Sequence, residues 1–202
     1  MTLKTVSLSA LGASTIGGAA VGGYLFTKSS DVKKVTSSQK QEANAVSIQK
    51  QIETSGRTML NTSESKHWNI KVNTYKTKLQ SAVTLTSEDE EGLKTWCTET
   101  LKVDFKNERD NNYSHAEQLC TVPTNEEKLL SESKQLAEEN DWEERARAYN
   151  TGATDENLIS SINKNSADKT NLKEWCEKTF KEEISETGNT YIAAKQWCTK
   201  TQ

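Results

Sequence analysis

The segment LKTWC, Leu93 to Cys97, occurs a second time as LKEWC, Leu172 to Cys176. The correspondence continues in unbroken register. Leu93, Trp96, Cys97, Leu101 and Phe105 have counterparts in Leu172, Trp175, Cys176, Phe180 and Ile184. Such spacing places each set of five on one stripe of an α-helix, which reads as a buried face. The match extends in both directions. Upstream, Trp68 and Tyr75 are spaced as Trp142 and Tyr149 are, at helical intervals. Downstream, YSHAEQLCT, Tyr113 to Thr121, aligns with YIAAKQWCT, Tyr191 to Thr199. The length difference falls between the first and second of these helices, where a connection tolerates it. The chain therefore reads as all-α, with two tandem three-helix repeats. The expected repeat core is Trp68, Tyr75, Leu93, Trp96, Leu101 and Phe105, with Trp142, Tyr149, Leu172, Trp175, Phe180 and Ile184.

Units this small bury little surface and often need covalent staples. The 33% hydrophobic content and mean hydropathy of −0.82 sharpen that need. Four cysteines stand at matching places, two per unit. They allow three connectivities, and the duplication favours Cys97 with Cys120 and Cys176 with Cys198. Closing a loop of that length stabilises by roughly 3 kcal/mol in the chain-entropy model. The competing reading is four reduced, buried thiols that pack as small apolar groups.

Residues Val6 to Phe26 carry no charge and are long enough to span a bilayer. The segment reads as an uncleaved signal anchor. A cleaved signal peptide, with Gly18 and Ala20 as the small residues, competes with it, and an apolar N-terminal helix of a soluble chain is the third reading. The resulting division is an anchor over 1–28, a polar stalk over 29–65, a first helical repeat over 66–123, and a linking helix (Asn125 to Asn140) plus second repeat over 124–202. Capping-box spacings mark helix starts at Ser87/Glu90 and Thr124/Glu127.

Several function classes are disfavoured. The net charge of −3, with mixed signs, gives no nucleic-acid footprint. No CxxC, HExxH, Walker or GxGxxG pattern occurs, and neither His67 nor His115 has a counterpart in the other repeat. No catalytic, cofactor-binding or metal-ligating residue is assigned, and a non-enzymatic role is expected.

The leader GGAAVGGYLF, the polar stalk, the Trp-Cys helices and the C-terminal WC carry a resemblance. The chain resembles the large paralogous families of short proteins encoded by haemotropic mycoplasmas, the wall-less bacteria that live on red blood cells. The resemblance implies a single-pass protein of the cell membrane, held through residues 6–26, with its repeats outside the cell. It also implies contact with a host-cell surface protein or a role as a variable antigen. The alternative from another class is a self-associating structural component of the envelope.

Overall fold

Ser47, Asp89, Asp110, Thr124 and Asp168 each precede a helix and accept a hydrogen bond from an amide of its first turn. A helix leaves its first amides without intrahelical partners, so these side chains fix where the elements begin. The computed structural model describes residues 45–63, 65–185 and 187–200. Among them the chain is all-helical. The elements are α1 (Ile48–Thr54), α2 (Ser65–Thr74), α3 (Glu90–Thr100), α4 (Asn111–Leu119), α5 (Asn125–Ser131), α6 (Trp142–Gly152), α7 (Lys169–Lys181) and α8 (Thr190–Trp197). A π-helical turn, Tyr75–Leu79, prolongs α2. No strand forms among the described residues, only isolated antiparallel bridges.

Two apolar clusters divide these elements. The first gathers Ile48, Ile52, Trp68, Tyr75, Leu79, Leu93, Tyr113 and Leu119 around Cys97 and Cys120. The second gathers Leu129, Trp142, Tyr149, Ile159, Ile162, Leu172 and Trp197 around Cys176 and Cys198. We call the segments that carry them the first half, 46–122, and the second half, 123–200.

Each half is laced by the same backbone bonds. Phe105 N donates to Val46 O at 2.7 Å, and Ile184 N donates to Pro123 O at 2.8 Å. Leu60 N donates to Cys120 O, and Ala137 N to Cys198 O, both at 2.9 Å. These bonds tie α1 into the first half as α5 is tied into the second. Each half therefore contains four helices.

That arrangement corrects the sequence reading in two places. The expected stalk over 29–65 is not a tether over its described part. Ile48 and Ile52, spaced one helical turn apart, are both fully buried against the first cluster. The helix has only seven residues, too few for a sustained stripe to show in the sequence. The expected linking helix toward Asn140 is also cut short. Helix α5 ends at Ser131, and Ser133 adopts a left-handed φ of 58°. Beyond it Leu136 pairs in extended form with Thr199.

The expected stripes are interrupted as well. Leu93, Cys97, Leu172 and Cys176 are buried, whereas Trp96, Leu101, Phe105, Trp175, Phe180 and Ile184 are only half-buried. Helix α3 stops at Thr100 and α7 at Lys181, so Phe105 and Ile184 lie past the helix ends. Among the described residues no helix is long and apolar enough to cross a membrane. The anchor expected over 6–26 lies outside the described residues.

Candidate functional site

The cysteines come together as two disulfides, Cys97–Cys120 and Cys176–Cys198, with Cα–Cα distances of 5.7 and 5.6 Å. Helices α3 and α4 present the first pair, α7 and α8 the second. Each bond lies inside its own cluster, at 3% exposure or less for every cysteine. Their role is to hold two helices of a small core together.

Trp68, Trp142 and Trp197 form the large aromatic content of the cores, at 2–3% exposure. The Trp68 indole donates to Asn61 O at 2.9 Å and that of Trp197 to Asn157 O at 2.7 Å. A buried indole N–H needs such a partner. Tyr149 stands edge-on to Trp197, with ring centroids 5.3 Å apart, and its hydroxyl donates to Ile162 O at 2.8 Å. The tryptophans are thus divided between two separate cores and enclose no common cage.

The capping spacings divide differently. Thr124 and Glu127 form the reciprocal capping box at α5. At α3 the cap is Asp89, which accepts from Gly92 N at 3.0 Å, and Ser87 instead donates to Asp89 at 2.7 Å. Glu90 is drawn to Lys94 at 2.6 Å and to Ser65. The Ser87/Glu90 spacing therefore marked the right place with the wrong pair.

The polar groups that converge lie between the halves, a meeting that sequence reasoning did not single out. Lys71, on α2, is 0% exposed. Its ammonium donates to Gln118 O at 2.6 Å and to Glu127 Oε2 at 2.7 Å, and Thr74 donates to the other oxygen of Glu127 at 3.2 Å. Burial pulls the Lys71 ammonium down from 10.5 to about 8, against the opposing attraction of Glu127. Nearby, Arg57 Nη2 donates to Thr121 Oγ1 at 2.6 Å and to Val122 O at 3.1 Å. Its Nε lies 3.4 Å from Glu183, which also accepts from Thr58 N at 2.8 Å. Two carboxylates of the second half are thus met by two cations of the first, and Lys78 meets a third, Glu126, at 3.2 Å nearer the surface.

Arg145, three residues after Trp142 as Lys71 is after Trp68, is its counterpart inside the second half. Its guanidinium donates to the carbonyls of Gln196 and Trp197 at the end of α8. Both cations occupy the electronegative end of the last helix of their half. The pairing of Lys71 with Arg145 is visible once the Trp-Tyr helices are aligned, and it was the one available signal.

Beside this joint runs a groove of about 520 Å³, lined by Lys66, His67, Ile70, Lys128, Ile184 and Tyr191 among others. The Lys128 ammonium lies 3.8 Å from the Tyr191 ring centroid. His67 is buried and His115 is half-buried on α4, so the two belong to different surroundings. Among the described residues no group of three or more metal-ligating side chains gathers. No protein-family model, no curated protein and no solved structure matches the chain.

Proposed function

We propose that this is a non-enzymatic, membrane-anchored surface protein whose tandem helical units contact a host-cell surface protein or serve as a variable antigen. The observation that carries the reading is the pair of disulfides, one per apolar cluster. Such bonds persist in oxidising surroundings and are rare in a reducing cytosol. The charge-free segment 6–26 supplies the anchor in this reading, with the units after about Lys28 outside the cell. The finer architecture belongs to the same proposal: the halves are two copies of one four-helix unit, as their matched sequence and matched lacing bonds suggest.

The alternative, a self-associating envelope component, receives less support. Glu127 is the third residue of its helix as Lys50 is of α1, while Arg145 holds the place of Lys71. Continuing the array head to tail would set Lys50 against Arg145, a like-charge contact at a buried site. Protease added to intact cells should remove the units and leave a short membrane-held stub. Units protected until lysis would overturn the surface reading. Binding of intact cells to host red cells, with and without the protein, separates host contact from an envelope role.

A further inference from the structure

The two disulfides are alike in setting but unlike in what adjoins them. Cys120 caps the end of α4, and the chain crosses to the second half within four residues, through Thr121, Val122, Pro123 and Thr124. Two of the cationic contacts across the joint are anchored beside Cys120, while a third, Lys78 with Glu126 at 3.2 Å, is not. Lys71 is held by Gln118 O, two residues before Cys120, and from there reaches Glu127. Arg57 is held by Thr121 Oγ1 and Val122 O, directly after Cys120, and from there reaches Glu183. Val122 N donates in turn to Thr58 O at 2.8 Å, the residue whose own amide bonds Glu183.

Cys198 has no such neighbours among the described residues. Its carbonyl accepts from Ala137 N, and Lys200 N donates to Gln135 O. The preceding carbonyls, Gln196 O and Trp197 O, are taken by Arg145. All of these lie in the second half.

We propose that the Cys97–Cys120 disulfide is linked to the joint between the halves, while Cys176–Cys198 is not, so that reduction of the first bond loosens the joint. The reductant is a dithiol. It supplies two electrons and two protons, the S–S bond breaks, two thiols form, and the dithiol closes to its own disulfide. The loss frees the end of α4 from α3, and the carbonyls that position Lys71 and Arg57 move with it. The inference is independent of the partner assigned to the protein and of its compartment.

Coupling of this kind is reciprocal, so weakening the joint must ease reduction of the linked bond. The test uses the full chain, with Glu127→Gln and Glu183→Gln introduced singly and together. Both substitutions lie in the second half and touch no cysteine, and Glu127→Gln keeps an amide oxygen that can still accept from Thr124 N and cap α5. Each chain is equilibrated over a series of ratios of reduced to oxidised dithiothreitol. Free thiols are then alkylated, and each bond is scored by peptide mass. In the double variant Cys97–Cys120 should become about five-fold easier to reduce or more, the lower end of ordinary coupling. Cys176–Cys198 should keep its wild-type midpoint, and the single variants should show the same ordering with smaller shifts. A shift of Cys176–Cys198 equal to or larger than that of Cys97–Cys120 would overturn the proposal, and so would no shift in either bond.

Discussion

The two halves place the same kinds of residue at matching positions and then use one of those positions differently. In the first half, the buried cation after the tryptophan is Lys71, which holds the end of α4 and also a carboxylate from the second half. In the second half it is Arg145, which holds the end of α8. A buried cation is therefore part of how each half is finished, and one of the two also serves as the joint. The connections differ too. Tyr75 opens a π-helical turn that prolongs α2, whereas Tyr149 sits in regular helix and bonds Ile162 across a longer connection. The shared cores set the architecture of each half, and the polar groups set how the halves meet.

The largest effect that would sharpen this comparison is expected at the equivalent tryptophans. Trp68→Ala and Trp142→Ala should each cost about 4 kcal/mol, the range for a large buried aromatic. Chemical denaturation of the full chain, followed by residual tryptophan fluorescence, checks this. If one substitution is silent, the two cores are not equivalent.

Next in size is an exchange at the helix starts. Gly92 holds the place that Asn171 holds in α7, since Asp89 and Asp168 are the two caps. A Cβ added at Gly92 would come within 2.0 Å of Ser87 O, a backbone atom with no side-chain freedom to yield. Gly92→Asn should therefore cost about 3 kcal/mol by overpacking. The reverse exchange, Asn171→Gly, loses only capping contacts and should cost about 1 kcal/mol. Equal costs, read from thermal unfolding, would show that the starts are interchangeable after all.

The buried cations give the third test. Lys71→Met strands Glu127 and should cost about 3 kcal/mol near neutral pH, while replacing the pair, Lys71→Met with Glu127→Leu, should cost only about 1 kcal/mol, for the lost capping bond to Thr124 N. The pH dependence has a definite sign. Folding lowers the Lys71 pKa from 10.5 to about 8, so between these values the unfolded chain binds more protons than the native one. Stability of the wild-type chain, measured relative to the Lys71→Met/Glu127→Leu chain, should be flat below pH 8 and rise toward pH 10.5. A fall over that window would mean the folded state holds the proton more tightly than burial permits.

The smallest effects are expected where exposure is greatest. Trp96→Ala and Trp175→Ala, at half-buried sites, should each cost about 2 kcal/mol, less than the fully buried tryptophans. His115→Ala should stay within about 0.5 kcal/mol. Thermal unfolding of each variant, run beside Trp68→Ala, would show whether core and edge differ as described.

What was legible in the sequence was what repeats with helical period. Leu93, Cys97, Leu172 and Cys176 announced their helices and their buried faces, and matched separations pointed to the observed disulfide pairing. Helix α1 escaped because Ile48 and Ile52 are the only apolar residues buried along it, set among Gln, Lys and Glu. Its role becomes plain only through the backbone bonds that fasten Val46 and Leu60 to the rest of the first half. Lys71 escaped for a different reason. A lysine reads as solvated unless its partners are known, and its partners lie at Gln118 and Glu127, distant in sequence. The half-buried state of Trp96 and Trp175 was hidden because helical spacing assigns a face without saying how deeply that face is covered.

The most direct test of the account is the state of the cysteines in the protein recovered from its own cells, with thiols blocked at lysis. Non-reducing digestion and peptide mass mapping should yield Cys97 joined to Cys120 and Cys176 joined to Cys198, with no alkylated cysteine. Four alkylated cysteines, or a Cys97–Cys176 link, would contradict both the stapled halves and the surface role built on them.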